Sequence, residues 1–232
     1  DILFDYAIKL IEMDKAYICE LNEADMRQQR YDCVESSFRN RPIDESLRLF
    51  NEMKEGKHKE GSMTLRLKCD MKHGNPNMRD IVAFRILFKE HPRTGNKWVI
   101  YSTYDYSHPI VDSLENITHS LCSSEFKIRN ELYRWVTETL GIYRCPQIEY
   151  SRLNLTNTIL SKRKLIELVN DGIVNGWDDP RMPTIKGLKR RGYTPEALND
   201  FCGRIGLNLV TSSSKVSYGM LEECLRQDLE IK

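Results

Sequence analysis

A hydroxyl followed by three cations, Ser161-Lys162-Arg163-Lys164, stands a few residues after Ser151-Arg152-Leu153-Asn154-Leu155 at a predicted helix start. That grouping suits a polyphosphate. Ammonium and guanidinium groups neutralise phosphate oxygens, and a helix N-terminus adds oriented backbone N–H donors. A solvated basic surface is the ordinary alternative for a Lys-Arg-Lys run. Farther upstream, Met63–Asp70 and Val82–Phe88 alternate apolar and polar residues, so each reads as a strand with one face buried. Their polar residues and the turn between them carry Arg66, Lys68, Arg79, Arg85 and Lys89, cations suited to a phosphate backbone.

The elements that must position these groups follow from periodicity and caps. Ile2, Leu3, Tyr6, Ala7, Leu10 and Ile11 form a helical stripe to about Met13, and Ala16–Cys19 reads as a short buried strand. Asn22 caps a helix through Arg30, residues 32–42 read as loop, and a helix from about Asp44 stops at Gly56. Arg93-Thr94-Gly95-Asn96 turns a hairpin into a strand at Lys97–Tyr101. From Tyr104 onward short strands and helices alternate: a helical turn at Pro109–Leu114, a strand at Thr118–Cys122, a helix at Phe126–Leu140 and a strand at Gln147–Ser151. That rhythm predicts a parallel sheet with ligands at the carboxyl ends of its strands. After Ser161 the remainder reads as helices at 161–170, 183–191, 194–205 and 217–229, with Thr194 as an N-cap.

Bulk composition narrows the class. The 232 residues are 40% hydrophobic and 30% charged, which fits a globular protein and argues against disorder. Lys+Arg number 35 against 34 Asp+Glu, so any nucleic-acid surface must come from local clustering. Seven scattered cysteines, without a C-x-x-C pair, read as reduced thiols in a cytoplasmic protein. No run approaches the ~20 apolar residues of a membrane span, and no signal peptide is visible. The abrupt opening on a helical stripe, without Met or cap, suggests a segment of a longer protein.

Several long strings together carry a resemblance. Tyr150–Leu155, Leu160-Ser161-Lys162-Arg163-Lys164-Leu165 and Gly176-Trp177-Asp178-Asp179-Pro180-Arg181-Met182-Pro183-Thr184 resemble the glutaminyl-tRNA synthetases of class I. So do Thr94-Gly95-Asn96-Lys97-Trp98 and Ile117-Thr118-His119-Ser120-Leu121-Cys122. The likeness covers nearly the whole chain and is weakest at 32–42 and 208–220. It implies an α/β fold: a Rossmann-type class I synthetase catalytic core, incomplete at its N-terminus, with an α+β acceptor-stem-binding insertion and a C-terminal helical subdomain. By the same likeness, residues 1–16 end the first Rossmann half, 17–98 form the insertion, 99–155 the second half, and 156–232 the KMSKS-type loop and helical subdomain.

The resemblance also implies roles. Leu160-Ser161-Lys162 takes the place of the mobile KMSKS loop, with Lys162 bridging ATP phosphates and Ser161 beside it. Arg152 and Leu153 line the nucleotide pocket, and Ser123 stands where the family has a Thr that contacts ATP. A structural ion pair is the alternative for Arg152. Glutamine is met by Tyr104, with His108, Cys122 and Gln147 at pocket positions. A phenol, an imidazole and a carboxamide suit an uncharged amide and poorly compensate a buried carboxylate. Related glutamyl enzymes end the Thr-His-(Ala/Ser)-Leu string in Arg, the natural partner of a carboxylate, where this chain has Cys122. Asp112 is expected as a hydrogen-bonding carboxylate rather than a base. Without the family, Tyr104 and His108 read as half-buried core residues.

For tRNA, Met78-Arg79-Asp80 matches a loop near the first base pairs, although the family continues with Pro and this chain has Ile81. Arg181, Lys186, Lys189, Arg190 and Arg191 match the helical region along the inside of the tRNA, a patch that grips phosphates without reading sequence. The implied reaction activates L-glutamine with ATP, Mg²⁺ accompanying the nucleotide, and transfers it to tRNA(Gln), in a monomer. One departure concerns the His-x-Gly-His signature: the histidines at 58, 73, 91, 108 and 119 never have that spacing. The signature, and an acidic residue that reads the amino group, are expected before Asp1, and anticodon-binding barrels after Lys232. The chain alone is therefore expected to be inactive. The rival expectations are a glutamyl-tRNA synthetase, a non-catalytic tRNA-binding module of synthetase descent, and a generic nucleotide-binding domain.

Overall fold

The apolar stripe of the first residues folds as helix α1 (Ile2–Glu12), which buries Phe4, Ala7, Leu10 and Ile11 along one face. The computed structural model describes residues 1–209 and 213–231. Strand β1 (Ala16–Cys19) follows, fully buried, and then helix α2 (Glu23–Asp32), whose N-cap Asn22 accepts the Asp25 N–H at 2.9 Å. Helix α3 (Ile43–Lys54) runs out just before Gly56, which takes a φ of 74°. The rings of Phe4 and Phe50 stack at 4.8 Å, and Phe50 meets Phe84 edge-on at 5.4 Å. These rings centre the principal core.

Strands β2 (Thr64–Leu67), β3 (Val82–Ile86) and β4 (Ile100–Ser102) complete an antiparallel sheet in the order β1-β2-β3-β4. Ile18 pairs with Leu65, Leu65 with Phe84, and Phe84 with Ser102. The hairpin strand expected at 97–101 thus begins at Ile100, after a loop closed by the His91–Gly95 bridge and by the Leu87 N–H, which donates to the Val99 carbonyl at 2.9 Å.

The expected half-polar face of β2 is absent: all four of its residues are buried. Arg66 is 0% exposed, and its Nε donates to the Asp80 carbonyl at 2.7 Å. Asp80 is equally buried. Its carboxylate accepts the Cys69 N–H at 2.8 Å, the Tyr17 hydroxyl at 3.0 Å and Arg39 Nε at 2.9 Å. Arg66 therefore faces no phosphate backbone, and the Asp80 side chain, expected at tRNA, is directed inward. The segment between β2 and β3 folds back over the sheet and encloses both.

Helix α4 spans Tyr104–Leu114, a full helix where only a turn from Pro109 was expected. Pro109 lies inside it and lacks one backbone donor, a local loss. Thr103 in extended conformation starts the helix, and its carbonyl accepts the Ser107 N–H at 3.0 Å and the Ser107 hydroxyl at 3.0 Å. Strand β5 (Ser120–Ser123) leads into a 3-10 stretch at Ser124–Arg129, so helix α5 starts at Asn130 and ends at Leu140. Strand β6 (Gln147–Tyr150) pairs with β5.

Strand β7 (Arg152–Leu155) runs parallel to β8 (Ser213–Val216), with Leu153 opposite Ser214. Neither strand was expected: residues 152–155 were assigned no element, and the chain after Ser161 read as helical. Helices α6 (Lys162–Asn170), α7 (Ile185–Arg191), α8 (Pro195–Ile205) and α9 (Tyr218–Ile231) supply the rest. Thr194 caps α8 as expected, accepting the Ala197 N–H at 3.2 Å. Thr184 caps α7 through Gly187 N–H at 2.9 Å, so Pro183 lies outside that helix. A second core gathers Leu188, Tyr193, Phe201, Leu221 and Cys224. The chain divides into two compact units, Asp1–Ser120 with Phe126–Ile148, and Leu121–Glu125 with Glu149–Lys232.

Candidate functional site

In the first unit, the opening turns of α4 bring Tyr104 and His108 together because residues four apart share a helix face. Their rings stack at 4.8 Å with an interplanar angle of 20°. His108 Nε2 lies 3.2 Å from the Ser120 hydroxyl and 3.1 Å from Asp112 Oδ2, one further turn along. The Tyr133 hydroxyl donates to the same Asp112 oxygen at 3.0 Å, and the His108 and Tyr133 rings meet edge-on at 5.3 Å. Burial, then the Asp112 carboxylate, push the Tyr133 phenol well up, so it remains a donor. Asp112 thus has the hydrogen-bonding role expected of it.

The Arg129 guanidinium lies over Tyr104 at 5.7 Å and over Phe126 at 5.3 Å, and it pairs with Asp105. Gln147 lines a cleft of about 160 Å³ with Tyr133, Arg144 and Cys145. Tyr133 therefore touches both the His108 cluster and the Gln147 cleft. It escaped the sequence reading, because on an amphipathic helix it carried no signal beyond an inward-facing aromatic. Arg129 escaped too, since its stacking partner lies 25 residues away in sequence.

The second unit holds the cationic group. Lys162 is the first residue of α6 and Ser161 its N-cap, with extended backbone and a hydroxyl that caps no helix N–H. Lys162, Arg163 and Lys164 are exposed, and the first turn has no acidic residue, so the positive end of the helix dipole is unopposed there. Leu160 is half-buried just before the cap. Arg152 opens β7, and its guanidinium lies 3.3 Å from Glu125 Oε1 with both side chains about half exposed, at 51% and 50%. Such an exposed pair is weakly held. The Leu153 side chain packs against the second core, leaving its backbone to the strand.

Ser123 ends β5 half-buried. Cys122 is buried at 8% exposure, and burial first, then Glu149, push its thiol up, so it presents a neutral S–H. Behind α6 lies a cavity of about 590 Å³, walled by Ile159, Leu165, Leu168 and Met182 with Arg181 and Arg191 at its edge.

The basic patch sorts into held and exposed cations. Arg181 forks onto Asp179 at 3.0 and 2.8 Å. Asp179 also accepts the N–H groups of Arg181 and Asn175 at 2.9 and 3.0 Å. Arg190 reaches Asp178 at 3.1 Å, and Arg191 donates to the Tyr218 hydroxyl at 3.1 Å. Lys186 and Lys189 are exposed on α7. In the first unit, Arg79 is half-buried, and its guanidinium donates to the carbonyls of His73 at 2.8 Å and Arg30 at 2.9 Å.

Comparison with known proteins adds the lineage. A family model described as tRNA synthetases class I (E and Q), catalytic domain, matches residues 1–230. The chain is 51% identical over 235 residues to a glutamine–tRNA ligase of Haemophilus ducreyi, covering 99% of the chain and 42% of the relative. It is 47% identical over 233 residues to a glutamine–tRNA ligase of Clostridium kluyveri, covering 98% of the chain and 42% of that protein. A Dictyostelium discoideum protein named "Probable glutamine--tRNA ligase" is 50% identical over 232 residues, all of this chain and 30% of its own. The chain thus spans less than half the length of these relatives. Among solved structures, a glutamate tRNA ligase from Elizabethkingia meningosepticum in complex with its amino acid superposes with a TM-score of 0.60 at 17% identity, covering 99% of this chain and 53% of that one. That likeness is one of fold.

Proposed function

This chain belongs to the class I tRNA synthetases of the E and Q family, and on that premise we propose that it is the catalytic region of a glutamine–tRNA ligase. The observation that carries the reading is identity of 47 to 51% along essentially the whole chain to relatives named for glutamine. The site chemistry supports it. Tyr104 and Gln147 bear a phenol and a carboxamide, His108 adds an imidazole, and Cys122 carries a thiol kept protonated by burial. An uncharged carboxamide is the substrate such groups can satisfy, whereas a buried carboxylate would call for a cation.

The reaction has two steps. A glutamine carboxylate oxygen attacks the α-phosphorus of ATP, pyrophosphate departs, and the mixed anhydride forms. A ribose hydroxyl of tRNA(Gln) then attacks the activated carbonyl, and AMP leaves. Neither step requires a protein nucleophile; both need cations where charge builds. Lys162 and Ser161 at the α6 N-terminus, with Leu160, Arg152, Leu153 and Ser123, serve ATP, and Mg²⁺ enters with the nucleotide through its phosphates. Tyr104, His108, Cys122 and Gln147 serve glutamine. Lys186, Lys189, Arg190, Arg191, Arg181 and Arg79 serve the tRNA backbone, whereas Asp80 holds the sheet.

In this reading residues 1–16 close a first Rossmann half, 17–98 form the acceptor-stem insertion, 99–155 the second half and 156–232 the loop and helical subdomain. No helix among the described residues is long and apolar enough to cross a membrane. A cytoplasmic monomer is the expected setting. With no His-x-Gly-His string in its sequence, the chain alone is expected not to form adenylate.

The test uses the full-length gene product, charging tRNA with glutamine or glutamate in parallel. Glutamine is the expected substrate, and preference for glutamate overturns the reading. Lys162→Ala should slow adenylation by about 10²–10³, the scale of one electrostatic stabiliser. A near-normal rate removes Lys162 from the chemistry.

A further inference from the structure

The segment between β2 and β3 is strapped to the start of α5 by one side chain, Asn75. Its amide group divides its work. Oδ1 accepts the Asn77 N–H at 3.0 Å and so caps the 3-10 turn Pro76–Met78. Nδ2 donates to the Ile128 carbonyl at 2.7 Å and to the Glu131 carboxylate, more than fifty residues away in sequence. The residue after Ile128 is Arg129, whose guanidinium covers the Tyr104 ring and pairs with Asp105 at the head of α4. At its other end the same segment carries Arg79, anchored on His73 and Arg30, while Arg30 donates to the Pro76 carbonyl at 2.8 Å.

We propose that Asn75 is a positioning residue for the amino-acid site: by holding the Ile128 carbonyl and Glu131, it sets Arg129 over the Tyr104 ring. The inference rests on the glutamine reading of that site given above. The stretch it holds is the 3-10 run Ser124–Arg129, which has poorer internal hydrogen bonding than an α-helix and needs outside anchors. Asn75 supplies one from a segment formed far earlier in the chain. Loss of the anchor leaves Arg129 and Asp105 paired but lets the guanidinium slide off the ring, which loosens the wall that Tyr104 presents.

The division of labour within one amide makes the test clean. Asn75→Asp keeps the oxygen that caps the turn and removes the donor that reaches Ile128 and Glu131, setting two carboxylates face to face. In the full-length enzyme the KM for glutamine should rise about three- to tenfold, the worth of one ordinary hydrogen bond. The KM for ATP and kcat should stay near wild type, and the melting temperature should fall by only the few degrees that one lost hydrogen bond costs. Adding Glu131→Gln returns a donor across the gap, and the glutamine KM should fall back to within about twofold of wild type.

An unchanged glutamine KM in Asn75→Asp overturns the inference. So does a uniform loss of KM, kcat and melting temperature that Glu131→Gln fails to rescue, because that is a structural role only. A wild-type enzyme that charges no glutamine overturns the underlying reading instead, before Asn75 is altered.

Discussion

Replacing Asp80 by Asn tests whether the first unit depends on a buried charge that the sequence pattern conceals. The two side chains have the same shape, and Asn tolerates the φ of 40° found there at least as well as Asp. What changes is one oxygen and one charge. The Cys69 N–H keeps its acceptor. The Tyr17 hydroxyl can turn round, but Arg39 Nε, 2.9 Å from Oδ2, meets a second donor. Burial works to lower the Arg39 guanidinium, and the hydrogen bond and charge of Asp80 outweigh it. Arg66 lies 0% exposed beside the same residue. Neutralising Asp80 therefore leaves Arg39 only Glu35 at 3.2 Å and the Cys69 carbonyl and takes a negative charge from beside Arg66, a loss of up to about 3–5 kcal/mol, the scale of removing one partner of a buried pair. For a chain of this size that is a fall in Tm of about 6–20 °C. The matched control is Glu23→Gln, which breaks a pair with Arg27 whose side chains are 83% and 80% exposed. That control should shift stability by under about 1 kcal/mol. Both variants are measured by urea unfolding with hydrogen exchange at the β1, β2 and β3 amides. If Asp80→Asn costs no more than Glu23→Gln, the buried cluster does not hold the sheet and the account is wrong.

Two further outcomes concern the second unit. The Arg181 fork first, then the Asn175 and Arg181 N–H groups, hold the Asp179 carboxylate well below the usual range. As pH falls through about 4, the unfolded carboxylate takes up a proton that the folded one refuses, so the stabilisation present above that value drains away in acid. Trp177 fluorescence should report acid loosening of the 175–183 turn below pH ~4, and Asp179→Asn should remove that pH dependence while weakening the turn at neutral pH. Gly187 admits no methyl group: a Cβ there would stand 2.4 Å from the Met182 carbonyl and 2.6 Å from that of Asp179. Gly187→Ala should destabilise the second unit by about 1–3 kcal/mol, read as an earlier thermal transition of Trp177; an unshifted transition would show that the turn relaxes freely.

The parts of the fold that were legible are those specified within one or two turns of chain. Asn22 and Thr194 announce their helices, because a short polar side chain before an apolar stripe can satisfy an orphan N–H. The Ser161–Lys164 group was legible as a helix start because its residues are neighbours in sequence, although the Ser161 hydroxyl itself caps no N–H. What stayed hidden depends on distant partners. Strands β7 and β8 are four residues each and join across some sixty residues, so neither shows a period of its own. Arg66 sits at a polar position of an alternating pattern, and nothing local reveals that residues 69–80 fold over it. Tyr133 and Arg129 join the Tyr104 cluster only through tertiary contact. Helix α4 was misjudged at Pro109, which reads as a helix start yet is accommodated one turn later with a single donor missing.

The weaving of the chain between its two units limits how it can be dissected. Leu121–Glu125 counts with the second unit although both its flanks belong to the first, so the backbone changes sides three times, after Ser120, Glu125 and Ile148. A cut after Ile148 would release a piece stripped of Cys122 and Ser123, and of the Glu125 that Arg152 leans on. Neither half can be excised by a single scission without taking a strand from its counterpart, and complementation by two co-expressed fragments should succeed only when the break falls within a loop of one unit.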